Sequence, residues 1–562
     1  MKIKTLSLTI ILTVSIALAY SQAPTIKWQK TLGGTKDDSL VSIIPTSDGG
    51  FIVSGYSNSD ISGNKTQNSI GGTVDYWIVK LSRSGAVQWD KTFGGIRIDR
   101  DPFVITTLDG GYLVGGTSDS DTSATKSEEE INDSYDFWVI KLDANGNKQW
   151  DNTIGGIQLD ALVSMIQRSD GSYMLGGYSY TRGDDRAYDK SDPNRGSSLW
   201  PDYWLLKLTL NGQKIKWNKV YGGKNEDLMT SMKATRDGGY VLGGYSYSDA
   251  DYEKTEPFLN NNDYWIVKGD KDGNKLLDKV YGGNLSDYLT SLAVTADGGC
   301  ILGGYSNSPI SFNKTEAFKG ITDYWLVKID SSRNVQWDRT LGGTLGDYLS
   351  SVQQTADGGY IVGGTSNSNS STTKTENSKG AQDYWIMKLD AQGQELWDKT
   401  IGGSKTDKLS VITEISAGEY IIGGTSNSPI SGDKTDNAIG GTGQNDYWIV
   451  RLTSRTGGAA KESAEPQSLN TITKSNNIEV RKLAMQATPN PTTGLVNVNY
   501  SATENTKLTL LVYDNSGKTI IKTTLPAGKN VYQLDLTKQA RGTYYALLSS
   551  SNSSVTRIIV KQ

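Results

Sequence analysis

The sequence predicts an all-β chain, a seven-bladed β-propeller followed by a small Ig-like β-sandwich. One unit recurs seven times between Trp28 and Leu452, and it reads Trp-Asp-Lys-Thr-x-Gly-Gly, Asp-Gly-Gly-Tyr and Asp-Tyr-Trp-x-x-Lys-Leu or close variants. A fixed period of about 60 residues is typical of repeat architectures in which each copy forms one structural unit. The copies begin at Trp28, Trp89, Trp150, Trp217, Leu277, Trp337 and Trp397.

Each copy contains four short apolar runs, the number of strands in a propeller blade. In the sixth copy these runs cover residues 347–355, 359–365, 383–390 and 394–401. The first two are joined by Asp357-Gly358-Gly359, which is typical of a tight hairpin turn. Gly363 lies inside a strand, where glycine is otherwise unfavourable, so we expect it to make room for a bulky side chain of the next blade.

Thirteen of the fourteen tryptophans occupy only two positions of the repeat, six at its opening and seven in the Asp-Tyr-Trp run. This regularity predicts that they form the core between blades. Cys300 is the single cysteine and occupies a position that holds Tyr or Phe in the other copies. We therefore interpret it as a small buried hydrophobic residue rather than a nucleophile.

The two ends of the repeat region predict how the propeller closes. The seventh copy stops after its third strand, 447–452, whereas an extra strand, 26–31, precedes the first complete set. We expect residues 26–31 to pair with residues 446–452 and to complete the seventh blade, so that no sheet edge stays open. The propeller domain is accordingly assigned to residues 22–453.

Composition excludes several classes of function. The 562 residues carry a net charge of -4, which lacks the basic surplus of a nucleic-acid-binding protein. Histidine is absent, so His-based acid–base catalysis, Ser-His-Asp triads and His ligation of zinc or haem are excluded. No catalytic residue, metal site or cofactor is predicted.

The N-terminus has the pattern of an export signal. Lys2 and Lys4 precede an apolar stretch from Leu6 to Ala19, and small residues at Ala19 and Ser21 predict cleavage near Ser21. We therefore expect residues 1–21 to be a signal peptide. No later segment reaches the roughly 20 apolar residues that a membrane-spanning helix needs, so the mature chain is predicted to lack one.

The connections from the second to the third strand are long and polar in every copy, and the face that carries them is the predicted binding face. Each connection contains a Lys-Thr or Lys-Ser pair, for which an anchor to the blade is favoured over contact with an anionic partner. An Asp lies four residues after each Gly-Gly, as at Asp38, and a turn-capping role is favoured over a ring of cation-binding carboxylates at the channel mouth.

The third copy has the longest of these connections and contains the only tryptophan outside the two core positions. Aromatic side chains beside carboxylates suit a glycan or a protein loop, although an insertion folded on itself is the alternative. The candidate ligand-binding residues are Trp200, Tyr188, Tyr180, Asp184, Asp185, Tyr247 and Tyr252.

After the repeat, residues 454–486 are rich in Ser, Thr, Ala, Gly, Asn and Lys, which is typical of a flexible linker. Residues 487–562 show short alternating segments and predict a small antiparallel sandwich. This segment resembles the type A C-terminal sorting domain of the Bacteroidota type IX secretion system. The matching positions are Pro489, Asn490, Pro491, Gly494, Gly542, Tyr544 and Lys561.

The resemblance implies a route and a set of partners. The type IX machinery would recognise the C-terminal domain at the outer membrane, and a sortase would remove it near the linker. The protein would then be secreted or anchored at the outer-membrane surface. The repeat region resembles bacterial β-propeller repeats of such surface proteins, a likeness that implies no particular activity.

Three functional hypotheses follow from the sequence. The leading one is an exported, surface-displayed, non-catalytic propeller that binds a glycan or a protein through the face of long connections. The first alternative is a propeller enzyme, such as a glycosidase, a lyase or a quinoprotein-like enzyme. The second alternative is a structural surface protein with no specific ligand.

Overall fold

The computed structural model describes residues 23–182, 189–196, 199–209, 211–212, 214–441, 443–454, 484–488, 492–501, 508–514, 519–525, 531–549 and 554–561. Two compact units share the chain, residues 1–459 and residues 460–562. Residues 455–483 of the predicted linker and the candidate residues Asp184, Asp185 and Tyr188 lie outside the described residues, whereas residues 484–486 begin a strand of the second unit. No helix in the described part of the chain is long and apolar enough to cross a membrane.

The first unit is built from short strands of seven to ten residues. In chain order they are β1 (Thr25–Leu32), β2 (Asp38–Pro45), β3 (Phe51–Ser57), β4 (Asp75–Leu81), β5 (Val87–Phe93), β6 (Asp99–Thr106), β7 (Tyr112–Ser118), β8 (Asp136–Leu142), β9 (Lys148–Ile154), β10 (Asp160–Gln167), β11 (Tyr173–Ser179), β12 (Asp202–Leu208), β13 (Ile215–Tyr221), β14 (Asp227–Ala234), β15 (Tyr240–Ser246), β16 (Asp263–Gly269), β17 (Lys275–Tyr281), β18 (Asp287–Val294), β19 (Cys300–Ser306), β20 (Asp323–Ile329), β21 (Val335–Leu341), β22 (Asp347–Gln354), β23 (Tyr360–Ser366), β24 (Asp383–Leu389), β25 (Glu395–Ile401), β26 (Asp407–Ser416), β27 (Glu419–Ser426) and β28 (Asp446–Thr453).

These strands form four-stranded antiparallel sheets, and the described residues contain seven of them. Six consist of four consecutive strands, from β2-β3-β4-β5 to β22-β23-β24-β25. The last has the order β1-β28-β27-β26, with Ile26 opposite Leu452 and Thr31 opposite Trp448. The first and last strands of the repeat region therefore pair as the sequence predicts, and the propeller fold is confirmed.

The interface between neighbouring sheets repeats around the unit. The third strand of each sheet is buried on both faces, and its tryptophan is fully buried in all seven copies. The Trp77 ring packs 4.8 Å from that of Tyr447, so the first sheet also contacts the last. The Tyr447 hydroxyl donates to the Trp77 carbonyl, and Tyr264 and Tyr324 repeat this bond to Trp325 and Trp385.

The six tryptophans that open the repeat are less buried than the sequence predicts. Only Trp397 is fully buried, while the other five are half-buried. Trp217 lies at the rim because it covers the turn of the next sheet, where a Cβ on Gly273 would approach its ring to 3.2 Å. These residues seal the hairpin turns, and the seven third-strand tryptophans form the core.

Glycine inside the second strand has the predicted role. A Cβ added to Gly363 would lie 2.6 Å from Cδ2 of Leu409 in the next sheet. The equivalent glycine beside Leu349 is Gly303, where the same distance is 3.0 Å. Glycine thus admits the leucine that the next innermost strand projects into the sheet interface.

The second unit contains two antiparallel sheets, one of three strands and one of four. One buried apolar cluster joins them and includes Val496, Val498, Leu510 and Leu548. This arrangement is the predicted sandwich. Its strands are β29 (Ala484–Thr488), β30 (Leu495–Ser501), β31 (Leu508–Asp514), β32 (Thr519–Leu525), β33 (Val531–Asp535), β34 (Gly542–Ser549) and β35 (Ser554–Lys561).

Candidate binding face

The Lys-Thr pair of each long connection anchors the connection to its sheet. The Thr66 backbone N–H donates to Asp90 Oδ2 at 3.0 Å, and its hydroxyl donates to Asp90 Oδ1 at 2.6 Å. Buried Lys65 donates to the Gln67 carbonyl at 3.0 Å, with its Nζ 6.0 Å from the centre of the Trp77 ring. The anchoring interpretation is therefore confirmed, and these ammonium groups are not available to an anionic partner.

The aspartates that begin the innermost strands also have structural roles. Asp38 is fully buried and accepts hydrogen bonds from the Gly34 backbone N–H at 2.7 Å and the Ser59 hydroxyl at 3.2 Å. The equivalent aspartates of the other sheets make the same bonds, for example Asp347 with Gly343 and Ser368. They cap turns and do not form an exposed ring of carboxylates at the channel. Among the described residues, no cluster of three or more acidic or Cys side chains could hold a metal ion.

Trp200 and Tyr247 come together on the face of long connections. They line a cleft of about 230 Å³ with Asn225, Glu226 and Asn262. Trp200 is 43% exposed and Tyr247 is 41% exposed, so both rings offer free surface. Tyr252, which the sequence groups with them, is exposed but is not part of the cleft lining.

Tyr180, a candidate from the sequence, belongs to a second set of aromatic rings whose other members the sequence analysis did not single out. Its ring lies 6.4 Å from that of Tyr178. Farther round the face, Tyr288 lies 4.9 Å from Tyr245 and 5.2 Å from Tyr305. The ring of Tyr305 lies 5.3 Å from that of Tyr348. We call these six residues the tyrosine arc: Tyr178, Tyr180, Tyr245, Tyr288, Tyr305 and Tyr348.

Five of the six arc residues come from two variable positions of the repeat, and Tyr180 follows the second strand of its sheet. Tyr288 and Tyr348 directly follow the buried aspartate of the innermost strand, where other copies have Ser39, Ala161 or Lys408. Tyr178, Tyr245 and Tyr305 precede the last residue of the second strand, where the first copy also has Tyr and three copies have Thr. The arc could have been found in the sequence by asking where copies differ inside strands rather than within loops.

The Trp200 cleft and the arc are physically connected. The Asn262 side-chain amide, at the edge of the cleft, donates to the Tyr288 hydroxyl at 3.1 Å. Glu226 also lines the cleft, and its charge contributes to raising the pKa of Tyr245, after the larger effect of burial. Burial raises the pKa of Glu226 itself. Rings, an amide and a carboxyl group therefore follow one another across neighbouring sheets.

The same face opens into a channel between the innermost strands. A cavity of about 730 Å³ lies at this end of the channel and is lined by Ser39, Tyr56, Asp101, Lys408 and Asn445, among others. The channel continues towards the hairpin face as a further space of about 660 Å³ bordered by Ile43, Met165 and other innermost-strand residues. The lining of the first cavity includes the charged residues Asp101 and Lys408, and that of the second includes Lys233 and Arg236.

Comparison with known proteins identifies the second unit. Residues 487–562 match the family described as "Secretion system C-terminal sorting domain". Of the predicted motif, Gly494, Gly542, Tyr544 and Lys561 are described, and Lys561 Nζ donates to the Thr537 carbonyl at 2.9 Å. Pro489, Asn490 and Pro491 lie outside the described residues. The chain therefore carries a type IX sorting tail, which implies secretion and attachment to the cell surface.

The chain has more distant likenesses. Over 186 residues it is 26% identical to "Regulatory protein FlaEY" of Caulobacter vibrioides, a match that covers 30% of this chain and 18% of that protein. Among solved structures, a fungal alcohol oxidase in complex with copper aligns over 96% of this chain and 100% of its own, with 9% identity and a TM-score of 0.41. An apocarotenoid oxygenase of Synechocystis aligns over 73% of this chain and 89% of its own, with 12% identity and a TM-score of 0.35.

Proposed function

We propose that this chain is an exported, non-catalytic propeller that binds a glycan on its face of long connections. The observation that carries the proposal is the tyrosine arc. Four of its rings, Tyr245, Tyr288, Tyr305 and Tyr348, form an unbroken series of neighbours with centroid separations between 4.9 and 5.3 Å. A rigid propeller scaffold holds this series at the mouth of its channel.

The chemistry of the arc suits sugars. A pyranose ring has an apolar face that packs on an aromatic ring and a rim of hydroxyls that needs hydrogen-bond partners. The arc supplies rings with attached hydroxyls, and the adjoining cleft supplies the Glu226 carboxyl and the Asn225 amide. Tyrosine also loses little conformational entropy on binding, because its side chain has few rotatable bonds.

The arc is not explained by folding alone. Tyr348 is 39% exposed and the other five are half-buried, whereas the tyrosines that stabilise the sheet interfaces are fully buried. Positions equivalent to Tyr305 hold Thr117, Thr365 and Thr425 in three other sheets, so the fold does not require an aromatic ring there. A series of partly exposed aromatic rings that the fold does not require is typical of a binding surface.

The tail determines where this binding would take place. We propose that the signal peptide is cleaved near Ser21, that the type IX machinery carries the chain outward, and that a sortase cuts within residues 454–486. The propeller would then meet polysaccharide outside the cell. Its strands close on themselves through the pairing of β1 with β28, which supports a propeller that stays folded after the tail is removed.

An array of soluble plant, algal and bacterial polysaccharides tests the proposal. The mature chain should bind at least one polysaccharide, and Tyr305→Ala combined with Tyr348→Ala should weaken that binding at least tenfold, the loss of about 1.4 kcal/mol. Phe318→Ala is the matched control, because Phe318 is 41% exposed on a long connection outside the arc. Absence of binding across the array, or release of reducing sugar by the chain, would contradict a non-catalytic glycan-binding role.

A further inference from the structure

The innermost strand of the second sheet departs from the other six at one position. The third residue of this strand is leucine or methionine elsewhere and is at most 4% exposed there. In β6 it is Asp101, followed by Pro102. The equivalent residues in the other sheets are Leu40, Leu162, Met229, Leu289, Leu349 and Leu409.

The backbone turns this side chain away from the sheet interface. Asp101 has a φ of 57°, in the left-handed region that non-glycine residues seldom occupy. In the other sheets one residue of the innermost strand, such as Val41, has no partner on the second strand. In β6 the two residues between Arg100 and Phe103 have none. The larger bulge places Asp101 at the wall of the channel cavity of about 730 Å³.

A second substitution in the neighbouring sheet compensates for this change. Six sheets have glycine where the next innermost strand inserts its leucine or methionine, for example Gly363 against Leu409. The sheet before β6 has Ser54 at this position instead, and the Ser54 hydroxyl donates to the Pro102 carbonyl at 2.6 Å. Because Asp101 replaces the leucine that would fill this space, the Ser54 side chain fits there. Its hydrogen bond holds the bulge, so residues of two neighbouring sheets together maintain the position of Asp101.

The Asp101 carboxylate has one long ion pair and no hydrogen bond within the described residues. Within the described residues, no hydrogen-bond donor reaches the Asp101 side chain, and the nearest cation is Arg100, with 3.8 Å from Nε to Oδ2. Arg100 is directed to the Tyr135 ring, 5.1 Å away. Val41 and Phe103 line the same cavity, and burial raises the pKa of Asp101. The Asp101 side chain is 50% exposed, so a ligand that enters the cavity can reach it. The left-handed backbone of a non-glycine residue costs stability, and its presence at a cavity wall indicates a binding role.

We propose that Asp101 is a ligand-binding residue that accepts hydrogen bonds from the hydroxyls of a sugar unit inserted into the channel mouth. This rests on the proposed glycan-binding function and adds that the glycan enters by a chain end. Val41 and Phe103 offer an apolar surface to the sugar ring. The opposite wall carries the hydroxyls of Thr290 and Ser350, and Tyr56 adds another at the rim. The remaining units of the chain would extend from the cavity onto the tyrosine arc.

Saturation-transfer NMR of the mature chain with free monosaccharides, namely glucose, galactose, mannose and glucosamine, tests this inference apart from the array. At least one sugar should receive magnetisation from the protein, and Asp101→Asn should weaken its binding about tenfold or more, as expected when a charge-assisted hydrogen bond is lost. Asn also accepts a positive φ, so the backbone conformation should be kept. Asp436→Asn, on an exposed long connection, should leave the signal unchanged.

A second variant covers the case in which the bulge itself changes. Ser54→Gly with Asp101→Leu and Pro102→Val restores the residues of the other sheets, so it should fold and still lose monosaccharide binding. If the parent chain binds none of the four sugars, or if both variants bind as the parent does, the Asp101 inference is overturned even when polysaccharides bind the array. If the parent chain binds a monosaccharide but no polysaccharide of the array, the role of the arc is overturned and the Asp101 inference stands.

Discussion

The guanidinium of Arg333 packs against Cys300, with 3.6 Å between Nη1 and Sγ. Arg333 is buried and has a φ of 71° in the turn between β20 and β21, where other sheets have glycine. In those sheets the glycine lies under a tryptophan of the preceding sheet, as Gly393 lies under Trp337. Here Leu277 stands in place of that tryptophan, and Cys300 stands in place of the usual tyrosine. The arginine therefore fills the volume that two aromatic rings fill elsewhere.

This relationship predicts strong coupling between three positions. Leu277→Trp alone should destabilise the chain by about 1 to 3 kcal/mol, because the new ring meets Arg333 in a filled space. The triple variant Leu277→Trp, Cys300→Tyr, Arg333→Gly should be at least as stable as the parent, since glycine accepts the positive φ and the buried guanidinium is removed. Thermal and urea unfolding of the single and triple variants measure the coupling.

Trp217→Leu is the matched control for this test. Its turn residue is Gly273, so no arginine fills the space and the substitution should cost stability. Additive effects of the three single changes would contradict the compensation.

The closing strand β1 should be essential to the propeller. The Trp448 indole N–H donates to Gln29 Oε1 at 2.9 Å, whereas in the first sheet Trp77 donates to Asp90 of the strand that follows it in the chain, at 3.0 Å. Gln29→Ala should therefore cost about 1 to 3 kcal/mol, because it leaves a buried donor unpaired. Lys30→Ala, at an exposed position, should cost little. Deleting residues 23–32 should lower the melting temperature sharply or cause aggregation, and an unchanged melt would contradict the closure.

Stability should fall as pH rises from about 5 to 8. A Cβ at Gly94 would lie 1.8 Å from Asp75 Oδ1 and 2.8 Å from Asp99 Oδ2, so the two buried carboxyl groups converge there. Burial raises the pKa of Asp75 to about 8 and the pKa of Asp99 to about 6. The folded state then holds more protons than the unfolded state, and this contribution, complete below about pH 4, is lost as pH passes 6 and then 8.

Thermal unfolding between pH 5 and pH 8 checks this expectation. Burial lowers the pKa of the neighbouring Lys65, and this shift makes stability rise with pH at higher pH. The measurement therefore ends at pH 8. Asp75→Asn should flatten the pH dependence by removing one of the titrating groups, whereas exposed Asp249→Asn should not. A melting temperature that rises over this interval would refute the role of the carboxyl pairs.

Trp200→Ala should separate binding from folding. Trp200 is 43% exposed, and its equivalents in other copies are not tryptophan, so unfolding should change by no more than about 0.5 kcal/mol. Affinity for a polysaccharide that spans the cleft should fall by about 2 kcal/mol, as expected for an aromatic contact at the centre of an interface. Equal affinity of the variant and the parent in isothermal titration would remove Trp200 from the binding face.

The repeat predicted the fold well because equivalent side chains pack in the same way in every copy. The burial of the third-strand tryptophans and the pairing of residues 26–31 with 446–452 could be read from spacing alone. The half-burial of Trp28 and Trp89 could not be predicted from spacing, because it depends on how far each turn of the next sheet extends over the ring. Asp101 and Ser54 were missed because each is ordinary by itself, and only the packing shows that one replaces leucine while the other replaces glycine.

The C-terminal unit should be a transferable export signal. It has its own apolar core and matches a sorting-domain family over residues 487–562, while the propeller closes through its own first strand. Removing residues 487–562 should leave a folded propeller in the periplasm of a type IX-secreting cell, since the inner-membrane step depends on the signal peptide. Fusing these residues behind a signal peptide and an unrelated domain should carry that domain to the surface. Protease accessibility on intact cells measures both outcomes, and normal display of the truncated chain would show that the address lies elsewhere.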